Sequence, residues 1–95
     1  MVDGWKWNEK ALAAKEAGRM DEELAVLLDG VAHGVDTPYT YDRGALLLET
    51  AGEPERALEV CRAWGRIWSP QSSESRNEKI AKRRARLEAK LAEDR

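Results

Sequence analysis

The sequence predicts an all-α fold of two stacked helix hairpins followed by a longer C-terminal helix. Ala, Leu, Glu, Lys and Arg dominate the chain, and Phe is absent. This composition favours helices over sheets. Gly18 and Gly52 lie 34 residues apart at the ends of two similar segments, and apolar residues recur at three- and four-residue spacing. A chain of 95 residues fits a single domain, which we place at 1–95.

The first hairpin is predicted over residues 5–36. A helix over 8–17 ends at Gly18, since glycine readily adopts the left-handed conformation found at helix ends. A second helix over 20–33 ends at Gly34. Its buried face is indicated by the helical spacing of Leu24, Leu27, Leu28 and Val31.

The second hairpin is predicted over residues 37–70. Thr37 and Pro38 are typical of a helix start, and the helix that follows ends at Gly52. Pro54 begins a fourth helix that runs to about residue 67. The remaining segment, 73–95, is rich in charge and predicts a fifth helix.

An internal repeat relates the two hairpins. An offset of 34 residues pairs the following positions: Trp7 with Tyr41, Ala11 with Ala45, Leu12 with Leu46, Leu24 with Leu58, and Val26 with Val60. With the turn glycines, this pattern resembles the tetratricopeptide repeat family, whose repeat length is 34 residues. Glu23 and Trp64 depart from that pattern, because each stands where the family has a small residue. An unrelated array of helical hairpins with the same period also fits the sequence.

The resemblance implies a partner-binding groove lined by the first helix of each hairpin. The residues that it would place there are Lys10, Ala14, Tyr41, Ala45 and Leu48. The function that it implies is that of a protein-interaction adaptor. Two repeats are fewer than a stable array usually needs. We therefore expect either the C-terminal helix or a second subunit to cover the last hairpin.

The C-terminal helix combines a basic patch with a narrow apolar seam. The patch comprises Arg76, Lys79, Lys82, Arg83, Arg84 and Arg86, and the seam comprises Ile80, Leu87 and Leu91. The seam residues fall within about 40° on a helical wheel, as in a coiled coil. Three interpretations remain open: a capping helix, a helix that docks on an acidic partner or on its twin, and a nucleic-acid contact. Interspersed carboxylates and the lack of aromatic residues in this segment disfavour the last.

Charge is divided unevenly along the chain. Residues 1–75 carry 8 basic and 14 acidic groups, whereas residues 76–95 carry 8 basic and 4 acidic groups. This division predicts that the basic C-terminal segment pairs with the acidic body, within one subunit or between two. The chain is accordingly expected to bind another protein or itself. Its alternative function is that of a small nucleic-acid-associated factor.

Four tryptophans supply most of the bulky aromatic surface. Trp5 and Trp7 would lie on opposite sides of any helix, so both cannot face one core. Trp68 follows the fourth helix, and Trp64 is expected to lie in the core. We therefore consider Trp5, Trp7 and Trp68 as aromatic contacts for a partner, since tryptophan is enriched at interfaces.

Catalytic signals are weak. One histidine, His33, and one cysteine, Cys61, do not make a metal site, and no phosphate-binding loop occurs. We therefore expect no enzymatic activity, no cofactor and no small-molecule substrate. A lone cysteine forms no internal disulfide, and no long apolar run is present, so we expect a cytoplasmic protein that does not contact a membrane.

Overall fold

The computed structural model describes residues 3–67 and 74–93, and these residues form five helices and no strand. The helices are α1 (Trp5–Glu16), α2 (Met20–Ala32), α3 (Pro38–Thr50), α4 (Pro54–Gly65) and α5 (Glu74–Glu93). The predicted all-α class is confirmed. The predicted start of the first helix was wrong: α1 begins at Trp5, because Gly4 acts as its N-cap and accepts the first helical hydrogen bond from the Asn8 amide.

The two hairpins end their first helices with the same turn. Gly18 (φ +72°) and Gly52 (φ +78°) both adopt the left-handed conformation that side chains disfavour. The amide of Arg19 donates to the Ala14 carbonyl at 2.9 Å, and the amide of Glu53 donates to the Leu48 carbonyl at 2.8 Å. These are paired bonds of the Schellman type. The repeat read from the sequence is therefore present in the backbone of both turns.

Helices pack in chain order. α1 packs on α2, α2 on α3, α3 on α4, and α5 on both α4 and α3. One cluster of buried residues joins α3, α4 and α5, and includes Tyr41, Trp64 and Leu87. A second cluster joins Ala11 of α1 with Leu27 of α2 and Leu47 of α3. α3 is thus the central helix, and α5 covers one end of the array.

Glu23 and Trp64, the two residues that depart from the repeat pattern, are both accommodated in the interior. Glu23 is 2% exposed, and its carboxylate accepts hydrogen bonds of 2.8 and 3.1 Å from Arg43 of α3. The Trp64 ring lies 5.0 Å from that of Tyr41, tilted by 49°, and its indole N–H donates to Asn77 of α5 at 2.8 Å. Each departure therefore joins its helix to a neighbour.

Candidate interaction surfaces

Four of the five predicted groove residues are core residues. Tyr41, Ala45 and Leu48 are fully buried, and Ala14 is 8% exposed. α2, α4 and α5 surround α3 and leave no groove at Tyr41, Ala45 and Leu48. Burial raises the pKa of Tyr41 to about 12, and its hydroxyl donates to the Val35 carbonyl at 2.8 Å. The predicted groove was therefore wrong at Tyr41, Ala45 and Leu48, whereas Lys10 and Ala14 line a small groove on the first hairpin.

The tryptophans have different environments. Trp5 is 60% exposed, so its side chain is accessible to a partner. Trp7 is partly buried: its indole N–H donates to the Asp29 carboxylate at 2.8 Å, and its ring lies 5.1 Å from that of His33. Trp7 therefore holds α1 against α2. Trp68 lies outside the described residues.

The seam of α5 is occupied by the protein's own body. Ile80 is 2% exposed, Leu87 is fully buried, and Leu91 packs against the same cluster. These side chains face α3 and α4, so they are not available to pair with a twin helix. Of the interpretations that the sequence left open for this helix, the structure agrees with the first: α5 packs as a cap on α3 and α4.

Most of the basic patch is paired with acids. Arg76 donates to Asp42 at 2.9 Å, and Arg83 and Arg86 donate to Glu49 at 2.6 and 2.8 Å. Arg84 pairs with Glu88 on α5 itself at 2.9 Å. Lys79 and Lys82 lie on the exposed side of the helix. The predicted pairing of tail and body is therefore found within one chain, through α3.

A cleft of about 560 Å³ lies between α4 and α5. Its floor includes Cys61, Trp64 and Ile80, and its rim includes Ala81 and Ala85. Burial raises the pKa of the Cys61 thiol to about 11, so the thiol stays protonated and unreactive at neutral pH. The cleft therefore holds no activated nucleophile at this cysteine.

A smaller groove of about 300 Å³ lies on α1 and α2, at the end of the array that α5 does not cover. It is lined by Lys10, Ala13, Ala14, Ala17, Arg19, Glu22 and Val26. Sequence reasoning named Lys10 and Ala14 as groove residues but missed the rest of this lining. The signal was available: Ala13 and Ala14 occupy the positions of Leu47 and Leu48 in the second hairpin, so the first hairpin lacks two large side chains.

Comparison of the chain with protein-family models, with curated proteins and with solved structures gives no significant match. Within residues 3–67 and 74–93, no cluster of three or more His, Cys, Asp or Glu side chains is arranged to hold a metal ion. Over the same residues, no helix combines the length and the apolar character needed to cross a bilayer.

Proposed function

We propose that this chain is a protein-interaction module that binds its partner through the first hairpin. The observation that carries the proposal is the difference between the two ends of the array. α5 covers the second hairpin, and its Ile80 and Leu87 are buried there. The outer side of the first hairpin has no such cover among the described residues.

Exposed apolar surface is concentrated on the same hairpin. Of the four large exposed hydrophobic residues in the described part of the chain, Trp5, Leu12 and Met20 belong to α1 and α2, and Leu46 belongs to α3. Trp5 and Leu12 are seven residues apart, so they lie on one side of α1. Exposed aromatic and aliphatic residues grouped in this way are typical of interaction surfaces. The resemblance to tetratricopeptide repeats supports the same function class.

Photo-crosslinking tests this proposal. A benzophenone amino acid replaces Leu12 in one variant and Ala89, an exposed residue on α5, in a matched control. In cells of the source organism, the variant labelled at position 12 should give a discrete crosslinked protein that mass spectrometry identifies, and the control should not. Equal crosslinking at both positions, or none at position 12, would count against binding through the first hairpin.

The alternative, binding of nucleic acid through α5, has weaker support. Arg76, Arg83 and Arg86 are already paired with carboxylates of α3. Phosphate groups would have to displace these carboxylates. Arginines that are already neutralised by carboxylates add little to the affinity that counterion release provides. A titration with duplex DNA and with RNA tests this alternative: affinity at low salt that falls steeply as salt rises would support it.

A further inference from the structure

We infer that the chain associates head to tail, with α1 of one copy seated in the cleft between α4 and α5 of another. This inference rests on the proposed function, because it names the partner of the first hairpin as a second copy of the chain. Two surfaces at opposite ends of the array carry it: the outer face of α1, and the cleft of about 560 Å³ beside α5.

The outer face of α1 carries two large apolar residues and two acids. Trp5 is 60% and Leu12 is 49% exposed, and Glu9 and Glu16 are exposed as well. On a helical wheel these four positions fall within about 60°, and the three lysines of α1 lie outside that arc. The buried Ala11 is on the other side of the helix. This face, which we call the α1 face, is therefore accessible to a partner and acidic between its apolar residues.

The cleft offers apolar walls at the other end of the array. α4 contributes Trp64 and Ile67, and α5 contributes Ile80 with the small side chains of Ala81 and Ala85. A volume of about 560 Å³ lies within the range of sites that bury a ligand. The two alanines, one turn apart, leave room for another helix to approach α5.

The spacing of the apolar residues on the α1 face matches the length of the cleft. Trp5 and Leu12 are seven residues apart, or about 10 Å along a helix. The α5 wall of the cleft extends from Asn77 to Glu88, which is about 16 Å at the same rise per residue. The cleft is therefore long enough to take both side chains when the two helices lie side by side.

Charge at the edge of the cleft complements the acids of the α1 face. Arg84 and Arg62 both pair with Glu88, at 2.9 and 3.6 Å. One carboxylate thus faces two guanidinium groups, which leaves one positive charge in excess. The two arginine side chains are 45% and 48% exposed, so Glu9 or Glu16 of a second copy can reach them. Opposite charges on the two surfaces favour this pairing over other orientations.

A contact of this kind is heterologous, because it joins different surfaces of the two copies. A copy that fills the cleft of its neighbour still presents its own cleft to a third copy. The contact therefore repeats, and it gives an open chain of copies or a closed ring. A dimer built on one shared surface would behave differently when variants are mixed.

Analytical ultracentrifugation of the purified full chain tests this geometry. The unmodified chain should associate as its concentration rises. Leu12→Glu, which disrupts the α1 face, and Ala81→Glu, which blocks the cleft, should each weaken association at least about tenfold. An equimolar mixture of the two variants should form a dimer and nothing larger, because it contains one intact α1 face and one intact cleft for each pair of chains.

Two results would overturn the inference. The first is an unmodified chain that remains monomeric at millimolar concentration. The second is a mixture of the two variants that remains monomeric where the unmodified chain associates, since that result indicates an interface between two identical surfaces.

Matched controls separate the interface from the general effect of a new charge. Leu46→Glu removes another exposed leucine, on α3, and Ala89→Glu adds a carboxylate to α5 at an exposed position outside the cleft. Both variants should associate as the unmodified chain does. Circular dichroism checks that each variant is folded, and Trp5→Glu or Ala85→Glu replaces one that is not. Equal loss of association in Leu46→Glu and Leu12→Glu would overturn the assignment of the α1 face.

Reversal of charge tests the electrostatic part of the contact. Glu9→Lys should weaken association roughly twofold to fivefold. Lys15→Glu, whose position lies outside the α1 face, should not weaken it. Unchanged association in Glu9→Lys would overturn the charge assignment.

Crosslinking at position 12 separates this inference from the proposed function. A crosslink to residues 64–67 or 81–88 of a second copy supports both. A crosslink to a different protein, together with a monomeric chain in the ultracentrifuge, keeps the first hairpin as the interaction surface and overturns the head-to-tail contact. Absence of both a crosslink and association would overturn both.

Discussion

Arg83 of α5 donates a hydrogen bond to Glu49 of α3 at 2.6 Å, and each side chain is only 18% exposed. Glu49 also accepts a 2.8 Å bond from Arg86. One carboxylate thus holds two arginines of the capping helix. These two ion pairs join α5 to the body at a partly buried carboxylate, where water screens them less than at the surface.

Glu49→Gln should loosen α5. The change removes the negative charge opposite two guanidinium groups and leaves Arg83 with only its longer, 3.4 Å pair with Asp42. We expect a loss of about 1–2 kcal/mol in the free energy of unfolding, measured by urea denaturation. Glu59→Gln is the matched control, because Glu59 is exposed on α4, and it should change the free energy by less than about 0.5 kcal/mol. Equal effects in the two variants would show that the Glu49 pairs do not stabilise the docked helix.

Acid should weaken the same contact. The hydrogen bond from Arg86, followed by that from Arg83, lowers the pKa of Glu49 despite its partial burial. A carboxyl group whose pKa is lower in the folded state stabilises the fold above its ordinary pKa of about 4.5. This contribution is lost as the pH falls through the lowered value. The difference in unfolding free energy between the unmodified chain and Glu49→Gln should therefore shrink as the pH falls below about 4. A constant difference would contradict the assignment.

The sequence predicts local structure well and long-range pairing poorly. Pro38, Pro54 and Gly52 act within a few residues, and the helices of the second hairpin begin and end close to the predicted positions. The periodicity of α5 identified its buried face, Ile80 and Leu87, because a helical repeat depends on neighbours in the chain. Periodicity alone does not say which surface that face meets.

Side chains distant in the sequence explain what could not be predicted. Glu23 departs from the repeat pattern, and the residue that pairs with it, Arg43, lies 20 residues away in the sequence. The groove prediction failed at Tyr41 and Leu48 because three helices, α2, α4 and α5, pack around α3. Conversely, the open groove follows from the alanines of α1, which a periodicity argument treats simply as core positions.

The buried pair of Glu23 and Arg43 should show strong coupling. Arg43→Met leaves the Glu23 carboxylate, which is 2% exposed, without a cation and should cost about 3–5 kcal/mol. Glu23→Ala should cost less, because the Arg43 side chain is 21% exposed and can reach water. The double variant should be more stable than the sum of the two losses predicts, by about 1–3 kcal/mol in a double-mutant cycle. Additive losses would argue against a direct interaction.

Gly52 should be sensitive to substitution in a way that Gly65 is not. Gly52→Ala forces an alanine to φ +78° and should cost about 1 kcal/mol. Gly65→Ala places a methyl group in the last turn of α4, where the nearest atom is the flexible end of Arg84 at 3.2 Å. Because alanine favours helix, this control should be neutral or more stable by about 0.5 kcal/mol. Thermal or urea unfolding measures both, and equal losses would contradict the assigned turn.

Cys61 provides a reporter for the docking of α5. Its thiol is 1% exposed and lies under the cleft between α4 and α5, and its pKa is raised to about 11, mainly by burial. Ellman's reagent should therefore modify the native protein far more slowly than the denatured protein, at a rate set by how often the fold opens. Glu49→Gln should accelerate the reaction roughly tenfold for each 1.4 kcal/mol of stability that it removes, and Glu59→Gln should not. A native rate that matches the denatured rate would mean that α5 does not shield Cys61.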